Sequence, residues 1–259
     1  MGILNIIREK FHPLLWLLQF NSFRFFFRLK FIYLRKSKKF GKFFIYLPRS
    51  LNLLVNINQY EKETFDFMEK LNIERQLENT SFIDVGGNIG LYSLYFKNNY
   101  NSNIFIFEPD EDNFILLFKT KKINEFSNFM IFPFALSNKQ EIKKFLKDDI
   151  SGATGTLSKE RNVIQVRMEL NKEIDVLSDR LDSFINVIKK VSWIKIDIEG
   201  YELEALEGMM ELIERDQPNL IIESNETNII KISEMLSPFN YRIKKIKTNL
   251  NYIFYKSVI

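Results

Sequence analysis

The stretch Ser81-Phe-Ile-Asp-Val-Gly-Gly-Asn-Ile-Gly-Leu91 constrains this chain more than any other. A short apolar run meets three of the chain's nine glycines within five residues, and Tyr92-Ser-Leu-Tyr-Phe96 beyond them reads as helix. Such a run, bounded by a tight turn, marks a strand buried in a parallel sheet. The same unit recurs along the chain. Asn103–Phe107, Asn128–Leu136, Val191–Ile196 and Asn219–Ile222 read as further strands. Helices are expected over Glu61–Leu71, Asn113–Lys121, Tyr201–Glu214 and Glu226–Leu236, with Tyr241–Lys247 and Tyr252–Lys256 closing as an antiparallel pair. Repeated β-α units of this kind imply an α/β fold with a doubly wound, mostly parallel sheet and a closing antiparallel strand.

Two segments stand outside that rhythm. Residues 137–190 form an insertion between the third and fourth strands, and Ser151-Gly-Ala-Thr-Gly-Thr-Leu-Ser158 within it is a candidate lid or acceptor-binding loop. Residues 1–50 carry eleven Lys and Arg against one acid, so they are +10 in a chain whose net charge is +4. This basic, aromatic segment reads as a helical extension. Asn21, Arg24, Arg28 and Lys30 interrupt its apolar run, which rules out a membrane span of about 20 apolar residues. No small-residue cleavage site follows, so a secretory signal fits poorly. Packing of the extension on the main domain is the plain expectation. The mixture also suits contact of residues 11–42 with an anionic lipid surface, which would place the protein in the cytoplasm, peripheral to the inner face of the membrane.

The glycine turn is a candidate ligand cradle, because ligands of such sheets sit at the carboxyl ends of the strands. A dinucleotide fingerprint needs G-x-G-x-x-G, and Gly86-Gly87-Asn88-Ile89-Gly90 fails its spacing. An acid two residues ahead, Asp84, would repel a pyrophosphate but suits an ammonium group. S-adenosylmethionine has no phosphate and carries both an ammonium and a sulfonium. Glu108 ends the second strand, where a carboxylate accepts hydrogen bonds from ribose hydroxyls. Asp84, Gly86, Gly87, Asn88, Gly90, Glu108 and Pro109 are therefore the expected cofactor residues.

Trp193-Ile-Lys-Ile-Asp-Ile-Glu-Gly-Tyr-Glu-Leu-Glu-Ala-Leu-Glu-Gly208 resembles the K-I-D-x-E-G-x-E…L-x-G pattern of FkbM-type S-adenosylmethionine-dependent methyltransferases. Ser81–Gly90 resembles that family's I-D-V-G-A-N-x-G, with Gly87 where alanine is usual. Glu108-Pro109, Arg180-Leu-Asp182 and Pro218-Asn-Leu-Ile-Ile-Glu223 fall in family order, so the resemblance spans about residues 60–225 and leaves out residues 1–50. It implies a class I methyltransferase domain over residues 51–259. It also implies O-methylation of a hydroxyl on a sugar, glycan or natural product.

Hydroxyls are weak nucleophiles at neutral pH, so a base or a metal is expected. The chain has no cysteine, and His12, its single histidine, lies far from the glycine turn. Asp197, ending the fourth strand, is the leading base candidate, with Glu199 next. Glu199 also has a plain reading as a shaper of the strand-to-helix turn. Asp197, Glu223 and Asn225 could offer oxygen ligands to Mg²⁺, although acids at strand ends are commonplace and a metal-free site is the preferred reading. Tyr60-Glu61 stands just ahead of the domain, within reach of the cofactor.

Nucleic acid is the disfavoured partner. Cytosine C5 methylation needs a cysteine, and adenine N-methylation usually follows an Asn/Asp-Pro-Pro-aromatic turn where this chain has Asp197-Ile-Glu-Gly200. An RNA 2′-O-methyltransferase and a non-catalytic, membrane-associated cofactor-binding module remain as alternatives.

Overall fold

The computed structural model describes residues 31–47, 50, 57–73, 77–148, 155–158 and 171–256. In chain order, strands β1 (Phe31–Ser37) and β2 (Gly41–Leu47) lead to helix α1 (Lys62–Asn72), β3 (Ser81–Val85), α2 (Leu91–Tyr100), β4 (Asn103–Phe107), α3 (Glu111–Ile123) and β5 (Phe129–Phe132). Next come β6 (Ala135–Leu136), β7 (Glu141–Asp148), β8 (Asn171–Asp179) and β9 (Val191–Ile196). Helices α4 (Glu202–Glu207) and α5 (Met210–Asp216) precede β10 (Asn219–Glu223), followed by α6 (Glu226–Leu236), β11 (Arg242–Lys245) and β12 (Asn251–Tyr255).

Seven strands form the central sheet in the order β11-β12-β10-β9-β3-β4-β5. β12 runs antiparallel to both its neighbours, β10 and β11, while β10, β9, β3, β4 and β5 pair in parallel. The chain winds outward from β3 in one direction, then returns to β9 on its other side. That reversal creates a crevice between β3 and β9 at the carboxyl edge.

Alternation along the strands splits the core into two layers. Phe82, Ile104 and Trp193 pack with α1, α2 and α3 on one face. Ile83, Val85, Phe107, Ile194 and Ile196 pack with α4, α5 and α6 on the other. Trp193 also donates its indole N–H to Asn72 Oδ1 at 2.9 Å, tying α1 to the sheet centre.

Three expectations are corrected. Residues 31–47 are an antiparallel hairpin, not helix, turning at Gly41 with φ +71°. Phe40, Phe43 and Ile45 are buried in the α1–α3 layer and Phe44 N donates to Thr120 Oγ1 at 3.1 Å, so the main core begins upstream of residue 51. Residues 1–30, with His12, lie outside the described residues. Asn128–Leu136 is not one strand, because Pro133 lacks the N–H that would continue the ladder. After it, β6 leaves the main sheet and joins β8 and β7 in a three-stranded sheet. Tyr201–Glu214 is two helices, broken at Gly208, where a Cβ would overlap the Ser137 carbonyl oxygen.

Candidate functional site

Register brings the expected site residues to one level. Val85 stands beside Phe107 on one side and Ile196 on the other, and Ile196 stands beside Ile222. The next residue on each strand is therefore Gly86, Glu108, Asp197 or Glu223, four neighbours along the carboxyl edge. The strand ends are sewn together by Gly86 N to Phe107 O at 2.9 Å and Asp197 N to Val85 O at 3.1 Å.

The glycine turn bends by left-handed residues. Gly86, Asn88 and Gly90 have φ of +75°, +51° and +81°. Asn88 accepts this region at modest cost because its short side chain is compatible with it. The turn delivers Asn88 N–H to Glu108 Oε2 at 2.7 Å, while Asp110 N–H donates to Glu108 Oε1 at 2.9 Å. Glu108 is thus held at both oxygens. Burial, reinforced by nearby Asp110, still pushes its carboxyl up to about 7.

Above the edge lies a cleft of about 600 Å³, the size of a small-ligand site. Gly86, Asn88, Glu108, Pro109 and Asp197 line it, as expected from the sequence. So do Gly155, Thr156 and Leu157 of the insertion, the described part of the candidate lid loop, and residues 149–154 lie outside the described residues. Thr156 Oγ1 donates to Glu199 O at 2.8 Å, seating this loop on the turn after β9.

Other expected residues sit behind the cleft. Asp84 is 2% exposed and accepts from Ser93 Oγ at 2.6 Å. Burial raises its carboxyl, opposed by Ser93 and by Lys195. Gly87 and Gly90 are packing positions, since a Cβ would meet Ile106 at the first and Leu117 at the second. Asn225 Oδ1 caps α6, accepting from Thr227 N and Asn228 N at 3.0 and 2.8 Å. Its oxygen is therefore engaged away from Asp197 and Glu223. Among the described residues, no group of three or more His, Cys, Asp or Glu is arranged to hold a metal ion.

The catalytic candidates form a carboxylate cluster. Asp197 Oδ2 accepts from Lys195 Nζ at 2.7 Å. Glu199 has φ +55° and a carboxyl raised to about 7, first by burial and then by Asp197. Glu223 is raised to about 8, also by burial and then by Asp197, with Lys195 opposing.

The family model of the methyltransferase FkbM domain matches residues 84–245. The chain belongs to the FkbM methyltransferase family. Methyltransferase 1 of Beauveria bassiana is 26% identical over 147 residues, covering 51% of this chain and 59% of that protein. Methyltransferase sdnD of Sordaria araneosa is 25% identical over 179 residues, covering 59% of this chain and 69% of its own length. The crystal structure of a methyltransferase FkbM from Methylobacillus flagellatus overlays with a TM-score of 0.50 at 18% identity, covering 68% of this chain and 44% of that one. The chain thus spans about half to two thirds of the length of these relatives.

Within this FkbM domain the structure explains one departure from the pattern. Gly87 replaces the usual alanine, and a Cβ there would overlap Ile106 Cγ2. Several site residues carried no role in the sequence. Lys195 lay inside the quoted K-I-D pattern, but its partners are distant in the chain. Lys147 reaches from β7 to Asp110 at 3.0 Å and Asp112 at 2.7 Å, fastening the insertion beside Glu108. Asp110 itself was legible as an acid after a proline that starts a helix, and it accepts from Asp112 N at 2.8 Å.

Proposed function

We infer that this FkbM-family chain binds S-adenosylmethionine in the cleft between β3, β4 and β9 and methylates a hydroxyl group of a sugar, glycan or related acceptor. The observation that carries this reading is the common level of Gly86, Glu108, Asp197 and Glu223 beneath one cleft. The donor set fits the cofactor. Gly86 keeps the cradle open where any side chain would strike Asp197. Glu108, already oriented by two backbone N–H groups, has lone pairs left for two ribose hydroxyls. The carboxylates Asp197, Glu199 and Glu223 complement a positively charged ligand.

When bound, S-adenosylmethionine supplies an electrophilic methyl group on a cationic sulfur. The chain's part is to hold the acceptor oxygen in line and to take its proton. Asp197 is the residue placed for this, at the end of β9 beside the cleft, with Lys195 orienting its carboxylate. Asn251 supports an acceptor that donates hydrogen bonds. It is the register partner of Glu223, is fully buried, and its Oδ1 has no partner among the described residues. A buried acceptor atom of this kind calls for a donor such as a hydroxyl.

Calorimetry with S-adenosylmethionine, combined with methyl transfer onto a panel of lipid-linked and nucleotide sugars, tests the reading. Asp197→Asn is expected to lower kcat about 10²–10⁴-fold, the range of a lost general base, while the cofactor still binds. Binding with no transfer to any hydroxyl would favour a cofactor-binding module. Transfer to RNA 2′-hydroxyls would favour the nucleic-acid reading.

The hairpin supports a peripheral lipid contact. Phe31, Ile32, Tyr33 and Leu34 of β1 are all exposed, next to Arg35, Lys36, Lys38 and Lys42. Apolar side chains beside clustered cations match an anionic bilayer surface. No helix among the described residues is long and apolar enough to cross a membrane.

A further inference from the structure

Lys195 lies in the centre of the sheet and is 3% exposed. A buried ammonium is unfavourable by several kcal/mol unless carboxylates surround it. Here they converge from four elements. Asp197, following β9, accepts from Nζ at 2.7 Å. Asp84 is the register partner of Lys195 on β3. Glu61, ahead of α1, and Glu223, ending β10, both attract the ammonium. The ring of Tyr92, from α2, faces Nζ at 5.0 Å.

Glu61 is held in this ring against its local preference. Its φ is +42°, a left-handed conformation that disfavours an ordinary residue by about 1–2 kcal/mol. It stands at the N-cap of α1, yet its side chain makes no capping bond. The carboxylate instead accepts from Tyr92 OH and from Asn251 Nδ2, the latter at 2.6 Å. Strain of this sort persists where surrounding structure over-determines it, and it clusters at functional sites.

We propose that Lys195 is the resident cation of the methyl-transfer edge: its ammonium orients Asp197 and fills, among Asp197, Glu223 and Glu61, the place a divalent ion would otherwise take. The proposal rests on the reading of Asp197 as proton acceptor. As the acceptor oxygen gains its methyl group, its proton passes to Asp197, and Lys195 keeps its own proton throughout. Lys195 is a positioning residue. Glu61 and Glu223 hold its ammonium centred so that Asp197 alone receives the short hydrogen bond.

The test compares the full chain with Lys195→Met and Lys195→Arg on a hydroxyl acceptor that the wild type methylates. Wild-type turnover is expected to be unchanged by EDTA. Lys195→Met is expected to lower kcat about 100-fold, with acceptor KM and cofactor Kd within about threefold, and Lys195→Arg to recover part of the loss. Loss of wild-type activity in EDTA, or a methionine variant with nearly full kcat, overturns the proposal. So does a pattern in which cofactor affinity collapses and arginine rescues nothing, since that is a structural lysine.

A second measurement needs no turnover. Calorimetry with Mn²⁺ is expected to show no binding to the wild type and uptake by Lys195→Met that Glu223→Gln removes. Mn²⁺ uptake by the wild type that Glu223→Gln removes, or uptake by neither chain, counts against the substitution of ammonium for metal. A wild type that behaves as expected with Mn²⁺ but methylates no hydroxyl fails the proposed function alone.

Discussion

A methyl group placed on Gly86 would overlap the carbonyl oxygen of Asp197, so the two strand ends that build the site pack backbone against backbone. Gly86 also holds φ +75°. Gly86→Ala is therefore expected to destabilise the chain by about 1–3 kcal/mol, the range for strain at such positions. It should weaken S-adenosylmethionine by more than about tenfold, since the cradle cannot keep its shape. Unfolding curves and calorimetry on the same preparation check both effects.

Gly87 and Ile106 are expected to be coupled. Gly87→Ala forces a methyl against Ile106 Cγ2 and should be unfavourable by about 1–3 kcal/mol, as in other overpacked cores. Ile106→Ala on its own leaves a cavity and should also destabilise. Combined, the two changes should be less harmful than their sum. Additive losses in a double-mutant cycle would contradict the packing argument.

Lys147, 3% exposed, neutralises two buried carboxylates at the start of α3. Lys147→Met leaves Asp110 and Asp112 buried without that cation, which should destabilise the chain by about 3–5 kcal/mol. Because Asp110 N–H orients Glu108, cofactor affinity should fall as well. Thermal melts with and without cofactor separate the two losses.

Stability should depend on pH in a defined direction. Glu108, Glu199 and Glu223 have folded values raised to about 7, about 7 and about 8 from the ordinary 4.5. A raised carboxyl binds more protons in the folded state than in the unfolded one. The stability tied to it is complete below the unfolded value and is lost as pH climbs through the folded one. The melting temperature of the cofactor-free chain should therefore fall between about pH 5 and about pH 8. A cationic cofactor favours the ionised forms of Glu199 and Glu223, so its stabilising effect should grow over the same interval. A cofactor-induced shift in Tm that shrinks towards pH 8 would count against this arrangement.

Lipid contact by the hairpin predicts co-sedimentation of the full chain with anionic vesicles. Replacing Phe31 and Leu34 by Ser should reduce it without unfolding the domain, because both side chains are exposed. Binding to vesicles that is equally strong after this change, or to neutral vesicles, would argue for another partner.

Much of this molecule follows from local sequence. The buried parallel strands are continuous apolar runs, and Gly86, Asn88 and Gly90 bend a turn whose conformational demand each residue meets by itself. Glu108 and Asp197 follow because a residue ending a parallel strand lands at the ligand edge wherever the strand sits. The hairpin was less legible: Lys38-Lys39-Phe40-Gly41 between two aromatic runs is a turn signal, yet the same residues fit an amphipathic helix. The strands of the insertion have alternation too weak to oppose a loop reading, and their pairing with β6 depends on the chain leaving the sheet at Pro133.

Sequence alone determined the order of elements, the glycine cradle and the acids at its edge, because propensity and periodicity act over a few residues. The tertiary structure alone decided the partners of Lys195 and Lys147 and the inward turn of Glu61. Glu61 meets Asn251 across 190 positions of chain, and Trp193 meets Asn72 across 121. Charges buried at such separations are set by whichever strands and helices the fold brings together, and no local pattern encodes that choice.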